Sequence, residues 1–215
     1  MINPDQFVIK RRRKLYKFAI FANSLICSEL HEWKKRRIDV VEVGAGTGLF
    51  SVELATRYPE KNYVAVDVKA DRLQKGAAVA VERGLKNIWF VRARADQLDQ
   101  VVEPGSVQAV WITFPDPFPK NRSAGRRMTH LRYLEIYKAL LVRHGAVYLK
   151  HDNDTFFNWS LEQMVAAEWV IDELSFDLHE SDLSDDYKFL TTYETRWLRE
   201  GLVTHFVKAF PRTTN

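Results

Sequence analysis

The sequence predicts an α/β fold, with a mostly parallel sheet of seven strands and helices on both faces. Two observations predict it. Short β-branched runs alternate with stretches of helical period from residue 38 onward, and the first of these runs ends in a glycine-rich turn. The chain has 215 residues, of which 46% are hydrophobic, so it can build one sizeable domain with a full core.

The first half of the chain contains three strand-like runs, each followed by a stretch of helical period. The second helical stretch has Leu73, Ala77, Ala80 and Val81 on one face and Gly84 as its stop. The pattern predicts strands over 38–44, 62–68 and 87–93 and helices over 49–58 and 71–84. Residues 1–37 are basic and mixed, and we interpret them as an N-terminal arm before a functional domain at 38–215.

The second half continues the alternation and ends in strands. Its first helical stretch has Met128, Leu131, Leu134, Tyr137 and Leu141 on the inner face. The pattern predicts strands over 107–114, 145–152, 169–178 and 202–210, and helices over 126–141 and 155–168. In such sheets ligands bind at the carboxyl ends of the strands, so residues just after each predicted strand are the candidates for a site.

Charge and cysteine content restrict the class of function. The balance of 32 Lys+Arg against 28 Asp+Glu gives only +4, but much of the positive charge lies in three groups, residues 10–14, residues 34–37 and the set Lys120, Arg122, Arg126 and Arg127. Clustered cations favour a polyanionic partner, although each group could equally be solubilising surface. The single Cys27 excludes an intrachain disulfide and indicates a reducing cytoplasm.

The remaining composition predicts neither a metal nor a membrane as a partner. The six His have no metal-ligand spacing, and no apolar run approaches the length of a membrane span. The sequence leaves monomer and homodimer open.

The turn after the first strand, "VEVGAGTGLF", predicts a cofactor site. Gly44, Gly46 and Gly48 are spaced G-x-G-x-G, and Leu49 occupies the place where a dinucleotide fingerprint has its last small residue. A diphosphate would lie poorly beside Glu42, whereas S-adenosylmethionine (SAM) carries an ammonium and a sulfonium. Asp67 ends the next strand, where a carboxylate can bind both ribose hydroxyls. The alternatives are a purely geometric turn and an Asp67 that caps a helix.

The third strand end, "RARADQL", is expected to frame the adenine. Backbone amides near Ala95 can read the ring edge, and Arg94 and Asp96 lie beside it. Asp96 could equally cap a short helix.

The fourth strand runs into "WITFPDPFPKNR", in which three prolines surround Asp116. Proline fixes φ, so these residues would hold Asp116 in a preorganised position. Lys120 and Arg122 follow on the same loop and are expected to hold phosphate. The alternative is a proline-rich surface loop.

Together, "FPDPFPKNR", "LKHDN" and "TTYETRWLREG" resemble the bacterial tRNA (guanine-N7-)-methyltransferase family from about residue 38 to the C-terminus. The resemblance implies a Rossmann-like class I methyltransferase, with SAM as cofactor, S-adenosylhomocysteine as product and the variable-loop guanine of tRNA (position 46) as target. It implies that Glu42, Asp67, the residue at 94 and Asp116 line the SAM site, and that Asp116 faces the methyl group. It also implies substrate contacts for Lys120, Asp152, Thr191, Thr192, Tyr193 and Glu194.

The sequence departs from the family's usual pattern at four positions. A small acid or amide usually stands where Arg94 is, and an Arg cannot accept a hydrogen bond from the adenine amino group. Ser123 and Gly125 replace a His and a Lys, and His151 stands where Thr is frequent. These differences put the detail of tRNA docking in question, and not the reaction.

Three other functions remain open on the sequence alone. One is SAM-dependent methylation of another RNA, one is methylation of a small molecule, and one is RNA binding by a vestigial SAM fold without catalysis. The acids and glycines at 42–48, 67 and 116 favour an enzyme.

Overall fold

In the computed structural model the described residues are 12–191 and 194–212, and the chain divides into two compact units, Met1–Val102 and Glu103–Asn215. These residues contain seven α-helices and eight strands. The predicted α/β class is confirmed, with one strand more than the seven expected.

The first unit has four parallel strands in the order β1 (Cys27–Glu29), β4 (Ile88–Arg92), β3 (Tyr63–Asp67) and β2 (Val40–Val43). All four residues of β2 are buried, which explains why three of them are valine. The parallel register places the end of β2 beside the end of β3, with Val43 opposite Val66.

The additional strand comes from the segment interpreted as an arm. Strand β1 pairs with β4, and the Trp33 indole that follows it is buried and donates from Nε1 to the Val101 carbonyl at 2.7 Å. A three-residue strand carries too little alternation to be seen in the sequence. An arm role for residues 1–37 stays a prediction.

The helices of the first unit are α1 (Arg12–Ala22), α2 (Leu49–Arg57), α3 (Ala70–Glu82) and α4 (Leu98–Val101). Leu73, Ala77 and Ala80 of α3 are buried as predicted, and Gly84 ends the helix with φ +68°. The assignment of Val81 to the inner face was wrong, because it is 60% exposed beside an apolar groove formed with α1.

The second unit has strands in the order β5 (Val107–Thr113), β6 (Leu141–His151), β8 (His205–Pro211) and β7 (Trp169–Ser175). Strands β5 and β6 are parallel, whereas β8 is antiparallel to β6 and to β7. Its helices are α5 (Leu131–Leu140), α6 (Asp154–Ala166) and α7 (Glu194–Arg199).

Helix α5 starts five residues later than predicted. His130 caps its N-terminus, and the preceding Asn121–Arg126 segment forms a 3₁₀ helix. Leu134 and Tyr137 are buried as expected, but Leu131 is 38% exposed, so its assignment to the inner face was wrong. The inner face is instead completed by Tyr133 and Leu140.

Candidate active site

The glycine turn (residues 44–48) joins β2 to α2 through left-handed backbone. Gly44, Gly46 and Gly48 have φ values of 68°, 57° and 70°, which residues other than glycine rarely adopt. At Gly48 an added Cβ would also lie 2.7 Å from the Phe90 ring and 3.0 Å from Ala65 Cβ. The turn therefore packs tightly against the sheet.

A fourth glycine supports this turn and was not predicted. A Cβ at Gly76, on α3, would lie 2.2 Å from the Thr47 carbonyl oxygen, so only glycine allows the helix to approach the turn this closely. The signal in the sequence was a glycine inside a helix of good amphipathic period.

Asp67, at the end of β3, is fixed against the glycine turn. Its Oδ2 accepts from the Gly46 amide and its Oδ1 from the Lys69 amide, both at 2.8 Å. A carboxylate offers about four lone-pair sites, so each oxygen keeps capacity for a further donor. The carboxylate is half-buried, and it caps no helix.

Glu42 lies on β2 just before the turn and is 1% exposed. Its Oε2 accepts from the Ser51 hydroxyl at 2.6 Å and from the Ser51 amide at 3.3 Å, in the first turn of α2. The carboxylate therefore anchors the helix to the strand, and its negative charge lies beside the turn, where it favours a cationic ligand group.

At the end of β4, Arg94 and Asp96 pair with each other. The guanidinium donates from Nε and Nη2 to the two Asp96 oxygens at 2.9 and 2.6 Å, on the exposed surface. Asp96 lies within the short 3₁₀ helix Ala95–Gln97 and is not its N-cap. Because the Arg94 side chain is paired with Asp96, the Ala95 backbone is the group suited to hydrogen-bond the edge of an adenine.

In the second unit, the proline loop (residues 115–119) follows β5 and presents an exposed Asp116. Phe114 and Phe118, on either side of it, have φ values of 49° and 42°. Left-handed backbone at a bulky residue costs about 1–3 kcal/mol and persists only where surrounding contacts hold it. Strain of this kind is concentrated at functional loops.

Arg127 is one of those contacts. It is 6% exposed and donates from Nε to the Pro117 carbonyl and from Nη2 to the Phe118 carbonyl, each at 3.1 Å. Its Cζ lies 4.4 Å from the centre of the Trp159 ring. The prediction that Arg127 is one of the surface cations for a polyanion was therefore wrong, because its guanidinium is buried and hydrogen-bonded to the loop carbonyls. Lys120 and Arg122 are exposed.

Asp152 follows β6 and is half-buried. Its Oδ1 lies 3.2 Å from His151 Nδ1, and the contact with His151 lowers the pKa of Asp152 against the opposing effect of burial. Asp152 is thus an acid that stays ionised at neutral pH.

Glu194, at the start of α7, is fully buried with Lys150 of β6. Lys150 Nζ lies 2.6 Å from Glu194 Oε1, and His179 Nε2 lies 3.1 Å from the same oxygen. The Thr191 amide donates to Glu194 Oε2 at 2.8 Å, and the Glu194 amide donates back to Thr191 Oγ1. Burial would raise the pKa of Glu194, but these hydrogen bonds and the Lys150 charge lower it. Thr192 and Tyr193 lie outside the described residues.

This arrangement gives Glu194 an anchoring position that the sequence did not indicate. Lys150 directly follows the run "AVYL" of β6, and a cation at the end of that run was the signal of a buried charge. Within residues 12–191 and 194–212, no three His, Cys, Asp or Glu side chains come together as a metal site. In the same residues, no helix has the length and apolar character needed to cross a bilayer.

Comparison with known proteins places this geometry among methyltransferases. Residues 36–207 match a family model described as "Putative methyltransferase". The tRNA (guanine-N(7)-)-methyltransferase of Cytophaga hutchinsonii is 38% identical over 182 residues, 83% of this chain and 82% of that protein. The enzyme of the same name from Brevibacillus brevis is 34% identical over 79% of this chain and 78% of its own.

Solved structures of lower identity show the same fold. The 16S rRNA methyltransferase KamB superposes with a TM-score of 0.61 at 16% identity, over 82% of this chain and 90% of that chain. An rRNA methylase from Streptococcus thermophilus superposes with a TM-score of 0.55 at 15% identity, over 96% of this chain and 100% of that chain. These likenesses confirm the Rossmann-like methyltransferase fold.

Proposed function

Because this chain belongs to the family of tRNA (guanine-N7-)-methyltransferases, we propose that it transfers a methyl group from SAM to N7 of a guanine in tRNA. The products are 7-methylguanosine in the tRNA and S-adenosylhomocysteine. One observation carries the proposal: the similarity extends over residues 36–207, which include both the glycine turn and the proline loop.

The residues of the first unit fit SAM. Glycine at positions 48 and 76 lets the turn pack against the sheet and against α3, and Asp67 has acceptor capacity for two ribose hydroxyls. Glu42 supplies negative charge suited to the ammonium, and the Ala95 amide suits the adenine edge. When bound, SAM supplies an electrophilic methyl carbon on a sulfonium.

The chemistry of guanine N7 determines which groups the second unit has to supply. N7 carries an in-plane lone pair and no proton, so no base is needed to activate it. As the N7–carbon bond forms and the carbon–sulfur bond breaks, positive charge passes to the purine. A carboxylate that accepts from N1–H or the amino group stabilises that charge, and we assign this role to Asp116.

The other substrate contacts follow from exposure and charge. Asp152 is an ionised acid on the same unit, and the Thr191 amide donates to Glu194. Thr192 and Tyr193, which lie outside the described residues, stay proposed substrate contacts. Lys120 and Arg122 are exposed cations suited to phosphate. The target base has to leave its stack to be reached. The finer proposal is the variable-loop guanine as target and the cytoplasm as location.

Asp116→Ala and Asp116→Asn test the assignment. With unmodified tRNA and methyl-labelled SAM, both variants should lose about 100-fold or more in kcat, since a preorganised charge interaction in the transition state is removed. The control is Asp99→Asn, an exposed aspartate of α4, which should keep the wild-type rate. An Asp116→Ala protein with the full rate would contradict the proposed mechanism.

A further inference from the structure

We propose that His151 is a positioning residue for the reaction, which holds the backbone of Asp116 through the Pro115 carbonyl. The inference rests on the proposed function. His151 is the last residue of β6 and is 3% exposed, so it does not offer its ring to solvent.

The contact is made at the peptide that carries Asp116. His151 Nε2 lies 3.0 Å from the Pro115 carbonyl oxygen. Because a peptide unit is planar, fixing that oxygen also fixes the Asp116 nitrogen and restrains its Cα. The two flanking prolines have no N–H, so neither can hold the loop by donating a backbone hydrogen bond.

The hydrogen bonds of the ring assign its neutral tautomer. The Pro115 carbonyl can only accept, so Nε2 carries the proton, and Nδ1 accepts from the Asn153 amide at 2.8 Å. The Asn153 contact is shorter than the 3.2 Å contact to Asp152, which requires a second proton on the ring. The Asn153 side chain also caps α6 by accepting from the Phe156 amide at 2.8 Å. The ring therefore connects the proline loop to the start of a helix.

Packing fixes the plane of the ring. The Phe156 ring centre lies 4.5 Å from that of His151, and the Phe114 ring centre lies 6.1 Å away. Phe114 is one of the two residues beside the proline loop with strained φ, so its backbone would relax without contacts that hold it. On the far side of Asp116, Arg127 holds the Pro117 carbonyl. Asp116 is thus placed between two carbonyls that are fixed by buried donors, and His151 supplies the one on the strand side.

The test compares His151→Leu, which removes the donor, with His151→Gln, whose amide nitrogen can reach the position of Nε2. His205→Leu is the matched control. His205 lies opposite His151 on β8, is also 3% exposed, and has a ring nitrogen 2.8 Å from a backbone carbonyl, that of Phe176. Measured quantities are kcat and KM for tRNA, the Kd of S-adenosylhomocysteine and the melting temperature.

We expect His151→Leu to lower kcat by about 100-fold, the loss that a misplacement of about 1 Å can cause, and to leave the Kd of S-adenosylhomocysteine within about twofold. His151→Gln should regain most of kcat. His205→Leu should lower the melting temperature to a similar extent and keep kcat. If His151→Leu does not fold, His151→Asn replaces it, because its shorter amide reaches the position of Nδ1 and not that of Nε2.

Three results would overturn the inference: wild-type kcat in His151→Leu, an equal loss of kcat in His205→Leu, or a Gln variant no better than Leu or Asn. A wild-type chain that binds S-adenosylhomocysteine and methylates no tRNA would overturn the proposed function, and this inference with it. The two failures are distinguished by the wild-type assay alone.

Discussion

Replacing Glu194 by leucine should destabilise the second unit by about 3–5 kcal/mol, the usual cost of removing one partner of a buried ion pair. Lys150 and Glu194 are both 0% exposed and their charged atoms are 2.6 Å apart, so the remaining ammonium would lose its carboxylate in a medium of low polarity. Lys150→Met should cost about the same, because it leaves the carboxylate buried beside His179.

The double variant Lys150→Met/Glu194→Leu should be less destabilised than either single variant. Apolar replacement of both members of a buried pair is often close to neutral, so the remaining loss is that of the Thr191 hydrogen bonds, about 1–3 kcal/mol. The assay is urea unfolding followed by far-UV circular dichroism and tryptophan fluorescence. The control, Glu173→Leu, breaks the partly exposed pair with Lys208 and should cost about 1 kcal/mol or less.

The same pair predicts a pH dependence. The pKa of Glu194 is lowered in the folded chain, so the stability it contributes is complete above its unfolded pKa of about 4.3 and is lost as the pH falls through the lower folded value. The difference in unfolding free energy between wild type and Glu194→Gln should therefore be flat from about pH 5.5 to 8 and shrink below about pH 4.3. A Glu194→Leu chain within about 1 kcal/mol of wild type, or a double variant at least as destabilised as either single variant, would refute this reasoning.

Three further changes test the rest of the site. Gly76→Ala places a Cβ against the backbone of the glycine turn and should weaken S-adenosylhomocysteine binding at least about tenfold, measured by calorimetry. The control is Gly125→Ala, which has open space around it and should keep the wild-type affinity. Equal affinities of the two variants would contradict the packing argument. Asp67→Asn removes a charged acceptor and should weaken the same binding about 10- to 100-fold, and an unchanged Kd would exclude a ribose contact. Lys120→Ala and Arg122→Ala should each raise the KM for tRNA and reduce the slope of log K against log salt by about 1; an unchanged slope would exclude a phosphate contact.

The parts of the site that follow strand ends could be predicted from the sequence. The glycine turn and the carboxylate of Asp67 both lie where a parallel sheet presents them, and their local geometry agrees with that expectation. The rule works because short windows of sequence contain the pattern that locates each strand and its end, and parallel strands present those ends at one edge of the sheet.

The buried charges could not be predicted in this way. Arg127 is indistinguishable from a surface cation until the carbonyls that it binds are known, and Lys150 is buried because of Glu194, 44 positions later in the chain. Strand β1 was missed because three residues contain no period. For Lys150 the decisive partner is distant in sequence, and no local pattern encodes it.

The central claim is that this chain methylates guanine N7 in tRNA. The most direct measurement is to map the label in tRNA after reaction with methyl-labelled SAM, by nuclease digestion and identification of the modified nucleoside. Our account predicts 7-methylguanosine at a single variable-loop guanine, and its loss in Asp116→Ala. Label on another atom or another base, or a tRNA that stays unlabelled while a small molecule is methylated, would contradict it.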